Sequence, residues 1–251
     1  MIVRKWRGRN AQYPEAWRGI VAERLVGWHH LTGEEQTGLL AMAAAFVDQK
    51  RWEGAGGLRV TDEMRVVVAV HACLLVRRMD ATAFRSVGSI ILYPKPVVSH
   101  GVRSLGGGIV SEGPLPIHGE TRRGGPVVIV WSAAEFESRH PEIGRNVVLH
   151  EFAHQLDLQD GALDGTPPLV SRELQQQWPS IRDDVYAHVL AHSDPLLGSY
   201  AATNVGELFA VSTERFFTRP VELRNLHPAW YAALAAVYKQ DPATSYGRAG
   251  R

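Results

Sequence analysis

The sequence predicts an α+β fold that is mostly helical and contains a small mixed β-sheet. Segments with apolar residues at helical spacing occupy the first third and the last part of the chain. Two short apolar runs typical of strands lie in the middle. Helical and strand segments do not alternate regularly, which argues against a wound parallel sheet.

Two helices are predicted in the first third of the chain, and each has a threonine at the expected N-cap. Thr32 is followed three residues later by a glutamate, the spacing of a capping box, and opens a helix that ends near Lys50. Thr61 caps a second, very apolar helix that runs through Leu75. The first third is therefore expected to be helical.

The middle of the chain carries the strand patterns. Residues 89–93 (SIILY) form an apolar run that Pro94 stops, and residues 126–131 (PVVIVW) form the strongest strand pattern in the chain. We expect both segments to be strands of the small sheet, and we expect the first of them to be buried.

The last part of the chain is predicted to be helical again. One helix is expected to begin at Ser180 and to reach about His192, because Pro179 would break a longer helix. A loop is expected over residues 160–170, where glycine and proline are frequent. The other predicted helices of this part cover residues 143–157, 204–217 and 228–240.

Composition and charge exclude several classes of protein. The formal net charge is +1 over 251 residues, which provides no strong field for binding nucleic acid or an anionic membrane. The longest apolar stretch, residues 66–76, is too short to span a bilayer, and no signal peptide is recognised. Cys73 is the only cysteine, so no intramolecular disulfide can form. We expect a cytoplasmic protein without direct nucleic-acid or membrane partners.

Residues 150–154 (HEFAH) carry the pattern H-E-x-x-H. Positions i and i+4 share one face of a helix, so His150 and His154 can reach one zinc ion at about 2.0–2.1 Å. Glu151 is rotated by about 100° from the first histidine, which lets it accept a proton from water without ligating the metal. The pattern predicts a site for one Zn²⁺ ion with Glu151 as general base.

The residues around this motif indicate a buried helix. Val148, Phe152 and Leu156 form an apolar stripe at a spacing of four. Burying two histidines and a glutamate without partners would cost several kcal/mol, and a divalent cation would compensate that cost. Asp157, three residues after His154, is predicted to orient an imidazole N–H.

Catalytic zinc takes three protein ligands and leaves one position open, and the sequence offers three candidates for the third ligand. Asp160 lies six residues after His154, but the glycine that a turn at this spacing needs is missing. Glu173 lies 19 residues after His154. Glu207 belongs to a later helix, where it also fits a capping box opened by Asn204. From the spacing alone, all three remain candidates.

Two segments, residues 150–157 (HEFAHQLD) and 199–217 (SYAATNVGELFAVSTERFF), resemble the Mlc titration factor A family of bacterial zinc peptidases. The likeness continues in QKRWEGAGG, ILYPKPVV, VVIVWSA and YKQDP. The same segments are similar to the metallopeptidase domain of anthrax lethal factor. In that family and in the lethal factor domain, a tyrosine lies seven residues before the glutamate ligand. The corresponding pair in this sequence is Tyr200 and Glu207.

The resemblance implies a zincin-like metallopeptidase fold and a defined set of site residues. The implied zinc ligands are His150, His154 and Glu207, the implied base is Glu151, and Tyr200 is implied as an active-site hydroxyl. Because the likeness runs along most of the chain, we interpret residues 1–251 as a single domain. Its parts are a helical N-terminal part (1–85), a catalytic part (86–242) and a flexible tail (243–251).

The resemblance also implies what the protein does. The family is associated with zinc-dependent hydrolysis of peptides, of aminopeptidase type, and with direct binding of a transcriptional repressor of sugar uptake. A peptide substrate and a repressor protein are therefore the expected partners. The alternative is a non-catalytic binding protein that titrates a transcriptional regulator. The presence of Glu151 favours catalysis, because a pure binding module does not need the base.

Overall fold

The computed structural model describes residues 13–80, 82–96, 124–169 and 171–247, together with four two-residue strands between residues 98 and 116. As predicted, helices dominate the described residues. None of these helices has both the length and the apolar character needed to cross a lipid bilayer. The α-helices are α1 (Ala16–Arg24), α2 (Gly33–Gln49), α3 (Asp62–Val76), α4 (Trp131–Arg139), α5 (Val147–Asp157), α6 (Arg172–Ala191), α7 (Val205–Thr218), α8 (Pro220–Leu226), α9 (Pro228–Tyr238) and α10 (Pro242–Gly247). Short 3-10 turns cover Trp28–His30, Pro141–Ile143 and Ser199–Ala202.

The main sheet has three parallel strands. The strands are β1 (Arg51–Gly54), β2 (Ser89–Tyr93) and β7 (Val127–Val130), in the order β1–β2–β7. Two separate antiparallel pairs join β3 (Val98–Ser99) to β6 (Leu115–Pro116) and β4 (Arg103–Ser104) to β5 (Val110–Ser111). The prediction of one mixed sheet is therefore wrong for the described residues, because their parallel and antiparallel pairings belong to different sheets.

The sheet was not predicted to be parallel, because its first strand, β1, was not recognised as a strand. Residues 51–54 (RWEG) are mostly polar and exposed, so they show no apolar run or alternation. They pair with β2 through the backbone, which places Trp52 opposite Ile90. β7 is buried at all four positions, as expected for a parallel strand that is covered on both faces.

The predicted caps of α2 and α3 are confirmed. The Thr32 hydroxyl accepts a hydrogen bond from the Glu35 N–H at 3.2 Å, and the Glu35 carboxylate accepts one from the Thr32 N–H at 3.0 Å. The Thr61 hydroxyl accepts the Met64 N–H at 3.3 Å. In α3 every residue from 66 to 76 is buried, and α1, α2 and α5 pack against this helix.

α6 runs through Pro179, so the prediction that this proline ends a longer helix is wrong. The preceding residue, Trp178, is fully buried and donates its indole N–H to the Gly165 carbonyl at 2.9 Å. Its ring lies 4.7 Å from that of Trp230. A proline inside a helix costs about 3 kcal/mol. Burying a tryptophan contributes about 4–6 kcal/mol, which offsets that cost.

Residues 243–247 were predicted to begin a flexible tail but belong to α10. Ala243 is fully buried, and its N–H donates to the Tyr231 hydroxyl at 2.9 Å. That hydroxyl in turn donates to Asp241 at 2.6 Å. These tertiary bonds to α9 hold a short segment that has no helical periodicity of its own. Residues 248–251 lie outside the described part of the chain.

α5 begins four residues later than predicted. Residues 141–143 form a 3-10 turn, and Gly144 follows it with a left-handed φ of 85° that interrupts the helical path. Asn146 then caps α5, and its side chain accepts the Leu149 N–H at 3.0 Å. The motif helix is therefore the 11-residue segment Val147–Asp157, nearly all of which is buried.

α7 begins at the predicted cap and packs along α5. The Asn204 side chain accepts the Glu207 N–H at 2.9 Å, which fixes the first turn of α7. A Cβ added at Gly206 would lie 3.5 Å from the Asp157 carboxylate at the end of α5. This is an ordinary van der Waals distance, so the start of α7 lies beside the end of α5.

Candidate metal centre

Side chains from α5 and α7 converge on one point. The Nε2 atoms of His150 and His154 lie 3.1 Å apart. Glu207 Oε2 lies 3.1 Å from His150 Nε2 and 3.5 Å from His154 Nε2. One potential ligand atom from each of the three residues lies within 4.8 Å of the other two. The structure thus brings together the three residues that the family resemblance implied as ligands.

The other two candidates for a third ligand lie elsewhere. Asp160 is exposed and accepts the N–H of Ala162 at 3.0 Å. Glu173 is exposed in the first turn of α6. Within the described residues, neither joins the group formed by His150 and His154.

The chemistry of this group fits a cation. Glu207 Oε2 is buried and accepts no hydrogen bond, and His154 Nδ1 is also buried without a partner. Burial alone would raise the pKa of Glu207, but the two imidazoles lower it well below its ordinary value. Burial would likewise lower the pKa of His150, but Glu207 and Glu214 raise it well above its ordinary value. Glu207 is therefore ionised, and a carboxylate beside two imidazoles is a donor set that fits a divalent cation.

A further carboxylate, Glu214, orients the first histidine. His150 Nδ1–H donates to Glu214 Oε1 at 2.9 Å, which leaves Nε2 free to face the centre. Glu214 Oε2 accepts the Asn146 N–H at 2.6 Å and so ties the same carboxylate to the start of α5. Such contacts fix the orientation of a metal-binding imidazole. Glu214 was not predicted, although its position seven residues after Glu207 places both on one face of α7.

Asp157 does not have the orienting role that was predicted for it. Its carboxylate accepts the N–H groups of Gly165 at 2.9 Å and Thr166 at 2.7 Å. These bonds hold the loop that follows α5 against the helix. Burial raises the pKa of Asp157 to about 6, although the two backbone N–H groups oppose this shift. The prediction failed because both carboxylate oxygens accept N–H groups of the returning loop, while His150 Nδ1 pairs with Glu214 and His154 Nδ1 has no hydrogen-bond partner.

The two residues with implied catalytic roles line the same cavity as His150. Glu151 is 2% exposed and lies on the motif helix. Tyr200 lies on the 3-10 turn Ser199–Ala202, and its ring centroid is 6.0 Å from that of His150. Burial, and then the negative charges of Glu207 and Glu151, raise the pKa of Tyr200. The phenol therefore stays protonated at neutral pH and can donate a hydrogen bond into the cavity.

The cavity beside the histidines has a volume of about 510 Å³, which is within the range of about 300–1,000 Å³ usual for small-molecule sites. The end of β7 and the start of α5 contribute to its wall. The apolar part of the wall includes Val130, Ala133, Val147, Leu197 and Val211. The arrangement therefore combines a group that could hold a cation, a buried carboxylate, a protonated phenol and room for an organic ligand.

Comparison with known proteins shows relatives along nearly the whole chain. An uncharacterised protein of Synechocystis sp. is 32% identical over 234 residues, which is 91% of this chain and 85% of that protein. Mlc titration factor A of Serratia proteamaculans is 30% identical over 251 residues, 95% of this chain and 93% of its own length. Mlc titration factor A of Yersinia pestis is 29% identical over 238 residues, which is 88% of this chain and 87% of its own length.

A family model matches as well, over residues 2–239. Its description is glucose-regulated metallo-peptidase M90. The match agrees with the resemblance noted in the two segments that contain the motif helix and α7, and that resemblance is confirmed. A metallopeptidase family implies a metal, and His150, His154 and Glu207 form a group that could hold one. On these grounds the chain belongs to the glucose-regulated metallopeptidase family M90.

Proposed function

We propose that this protein is a zinc-dependent peptidase in which His150, His154 and Glu207 hold one Zn²⁺ ion. The observation that carries the proposal is the convergence of two imidazole nitrogens and one carboxylate oxygen within 4.8 Å, beside an open cavity. Two histidines and one glutamate form a known ligand set of catalytic zinc, which leaves a position for water or substrate. The buried Glu207 oxygen without a hydrogen bond supports the same assignment.

The mechanism follows from the side chains around the cavity. Zn²⁺ supplies Lewis-acid polarisation, which makes water nucleophilic near neutral pH. Glu151 accepts the proton of the attacking water and passes it to the amine that leaves. Tyr200 donates a hydrogen bond to the oxyanion that develops on the peptide carbonyl, a contribution of about 10²–10³ in rate. Glu214 holds the His150 ring in place during these steps.

The proposed cleavage is of aminopeptidase type, on short peptides or accessible N-termini. The family resemblance supports this assignment, and a cavity of about 510 Å³ suits one or two residues of a peptide. Aminoacyl p-nitroanilides and their N-acetylated forms provide the test. We expect the free amines to be cleaved and acetylation to abolish cleavage. Equal cleavage of both forms would show that the enzyme is an endopeptidase.

A second proposed function is direct binding of a transcriptional repressor. It is supported by relatives named Mlc titration factor A, which match up to 95% of this chain at 30% identity. The two functions are compatible, because binding needs a surface and catalysis needs the cavity. Binding of purified Mlc by the wild type and by Glu151→Gln, measured by interferometry, tests this function. We expect equal affinities, and absence of binding in both proteins would contradict the proposal.

Glu151→Gln provides the direct test of the mechanism. The variant keeps the shape of the side chain but loses the base, so we expect bound zinc to remain and hydrolysis to fall by at least about 10². Zinc content is measured by mass spectrometry and rate with a peptide-nitroanilide panel. Glu173→Gln removes an exposed glutamate of α6 and provides the control. Hydrolysis by Glu151→Gln at the control rate would refute the assigned role.

Metal content tests the ligand set independently of the rate. Glu207→Ala is expected to lose zinc, because only two protein ligands then remain. Glu173→Ala is expected to keep one ion per chain. Retention of stoichiometric, tightly bound zinc by Glu207→Ala would mean that another group is the third ligand.

A further inference from the structure

Besides Glu151, the charged side chains that line the cavity among the described residues are Glu137, Arg145, Glu214 and Arg215. Glu214 already has a role, because it orients His150. Their hydrogen bonds decide which of them is available to a ligand.

Three of the four are engaged within the protein. Glu137 accepts the Val147 N–H at 2.6 Å. Glu214 accepts hydrogen bonds from Asn146 and His150, as described above. Arg215 donates to the Leu196 carbonyl at 2.8 Å and also to the Gly144 carbonyl. These groups hold the start of α5 and the segment before Tyr200, so their charges serve the structure of the wall.

Arg145 differs from the other three. It is exposed at the cavity, and within the described part of the chain its guanidinium makes no hydrogen bond and no ion pair. Its backbone is held on both sides, because Gly144 has a left-handed φ of 85° and Asn146 caps α5. A fixed backbone with an unengaged guanidinium presents a positive charge to whatever enters the cavity.

The nearby carboxylate of Glu137 does not satisfy this charge. Arg145 acts on Glu137 through its charge, and no ion pair between the two side chains is present among the described residues. Burial raises the pKa of Glu137, while the Val147 N–H and the charge of Arg145 oppose that shift. Glu137 is thus a weakened anion that already shares one oxygen with the backbone, and the donors of Arg145 remain available.

We propose that Arg145 is a specificity-determining residue that binds a carboxylate of the peptide substrate. The proposal rests on the peptidase function proposed above. A guanidinium binds a carboxylate through two parallel N–H···O bonds, which gives both affinity and orientation. The carboxylate belongs either to an acidic side chain next to the cleaved bond or to the C-terminus of a short peptide.

Matched peptides distinguish the two sources. One pair differs by Glu against Gln beside the cleaved bond, and a second pair differs by a free C-terminal acid against an amide. One of these two pairs contains the carboxylate that Arg145 binds. For that pair, we expect the wild type to prefer the acidic peptide by about tenfold in kcat/KM, mainly through KM. Arg145→Gln is expected to lose this preference while its kcat/KM for the neutral peptides stays within twofold. Arg145→Glu is expected to invert it.

Arg139→Gln is the matched control, because Arg139 is an exposed arginine of α4 that does not line the cavity. It is expected to keep the wild-type preference. Thermal melting of each variant shows whether the fold is intact, and Arg145→Lys, which keeps the charge, is expected to retain part of the preference. Absence of an acid preference in the wild type for both pairs, or its persistence in Arg145→Gln, would overturn the proposal.

A binding assay separates this inference from the peptidase function. Zinc-loaded Glu151→Gln, with and without Arg145→Gln, is titrated with the fluorescently labelled acid and neutral peptides, and anisotropy reports the Kd. We expect about tenfold tighter binding of one acid peptide, and loss of that difference in the double variant. If the wild type hydrolyses nothing but this difference is present, the peptidase function fails and the carboxylate site stands. If hydrolysis occurs but no difference is found, only the carboxylate site fails.

Discussion

Removing the carboxylate of Glu214 tests whether the metal centre depends on a residue that does not itself belong to the proposed ligand set. In Glu214→Ala, His150 Nδ1–H loses its acceptor at 2.9 Å, and the Asn146 N–H loses its acceptor at 2.6 Å. The imidazole is then free to rotate or to change tautomer, and the start of α5 loses one anchor. The variant should therefore weaken both zinc binding and the metal-free fold.

The size of both effects follows from these two contacts. Loss of a carboxylate that orients a metal-binding histidine typically costs 10–100-fold in metal affinity, or about 1.4–2.7 kcal/mol. A buried N–H left without an acceptor costs a further 1–3 kcal/mol or so in the free energy of unfolding. Glu214→Gln should not rescue zinc binding, because an amide cannot accept from both N–H groups as the carboxylate does.

Competition with a chromophoric chelator gives the zinc Kd, and urea unfolding of the metal-free protein gives the stability change separately. Glu222→Ala is the control, since it removes a half-exposed glutamate of α8 that pairs with Arg219. We expect its zinc affinity to equal that of the wild type. A folded Glu214→Ala protein that binds zinc within threefold of the control would refute the orienting role of Glu214.

Three further predictions concern the phenol, the core histidine and one glycine. Tyr200→Phe should lower kcat by about 10²–10³ with little change in zinc content, measured by steady-state kinetics and metal analysis, and an unchanged kcat would exclude the phenol as a donor. Burial lowers the pKa of His71 to about 4, so between pH 6.5 and 4 the unfolded chain binds a proton that the folded protein does not. The free energy of unfolding should fall by up to about 3 kcal/mol over that interval, and urea titrations of His71→Leu should lack this component. Gly165→Ala would place a Cβ 2.5 Å from the Val205 carbonyl at a φ of +72°, and should destabilise the fold by more than 1 kcal/mol or so. Gly19→Ala, whose Cβ would meet nothing within 4 Å in α1, should be neutral or stabilising in the same denaturation assay.

Elements with strong local signals were predicted with correct type and nearly correct bounds. Thr32, Thr61 and Asn204 all cap helices as expected, because a cap depends on residues only three positions apart. β2 and β7 were found from their apolar runs. Elements without such signals were missed or misplaced. β1 is polar and is held by pairing with β2, and α10 is held by a bond from Ala243 to the Tyr231 hydroxyl.

Conflicting signals were resolved by packing. Pro179 predicts a break in α6, but the burial of Trp178 against Trp230 keeps the helix continuous. Ile143 fits the periodicity of α5, but the left-handed backbone of Gly144 separates Ile143 from the start of that helix. In both cases a long-range contact or a backbone conformation outweighed the local preference, and neither is visible in the spacing of residues.

The sequence alone determined that His150 and His154 face one point and that Glu151 lies beside them, because one turn of helix sets those positions. Which carboxylate completes the group was decided by the tertiary structure. Glu207 joins the histidines because α7 packs against α5. Asp160 and Glu173 are exposed side chains that do not belong to this group. The same packing made Glu214 the partner of His150. Spacing along a chain specifies neighbours on one helix, but contacts between helices depend on how their side chains pack across many intervening residues.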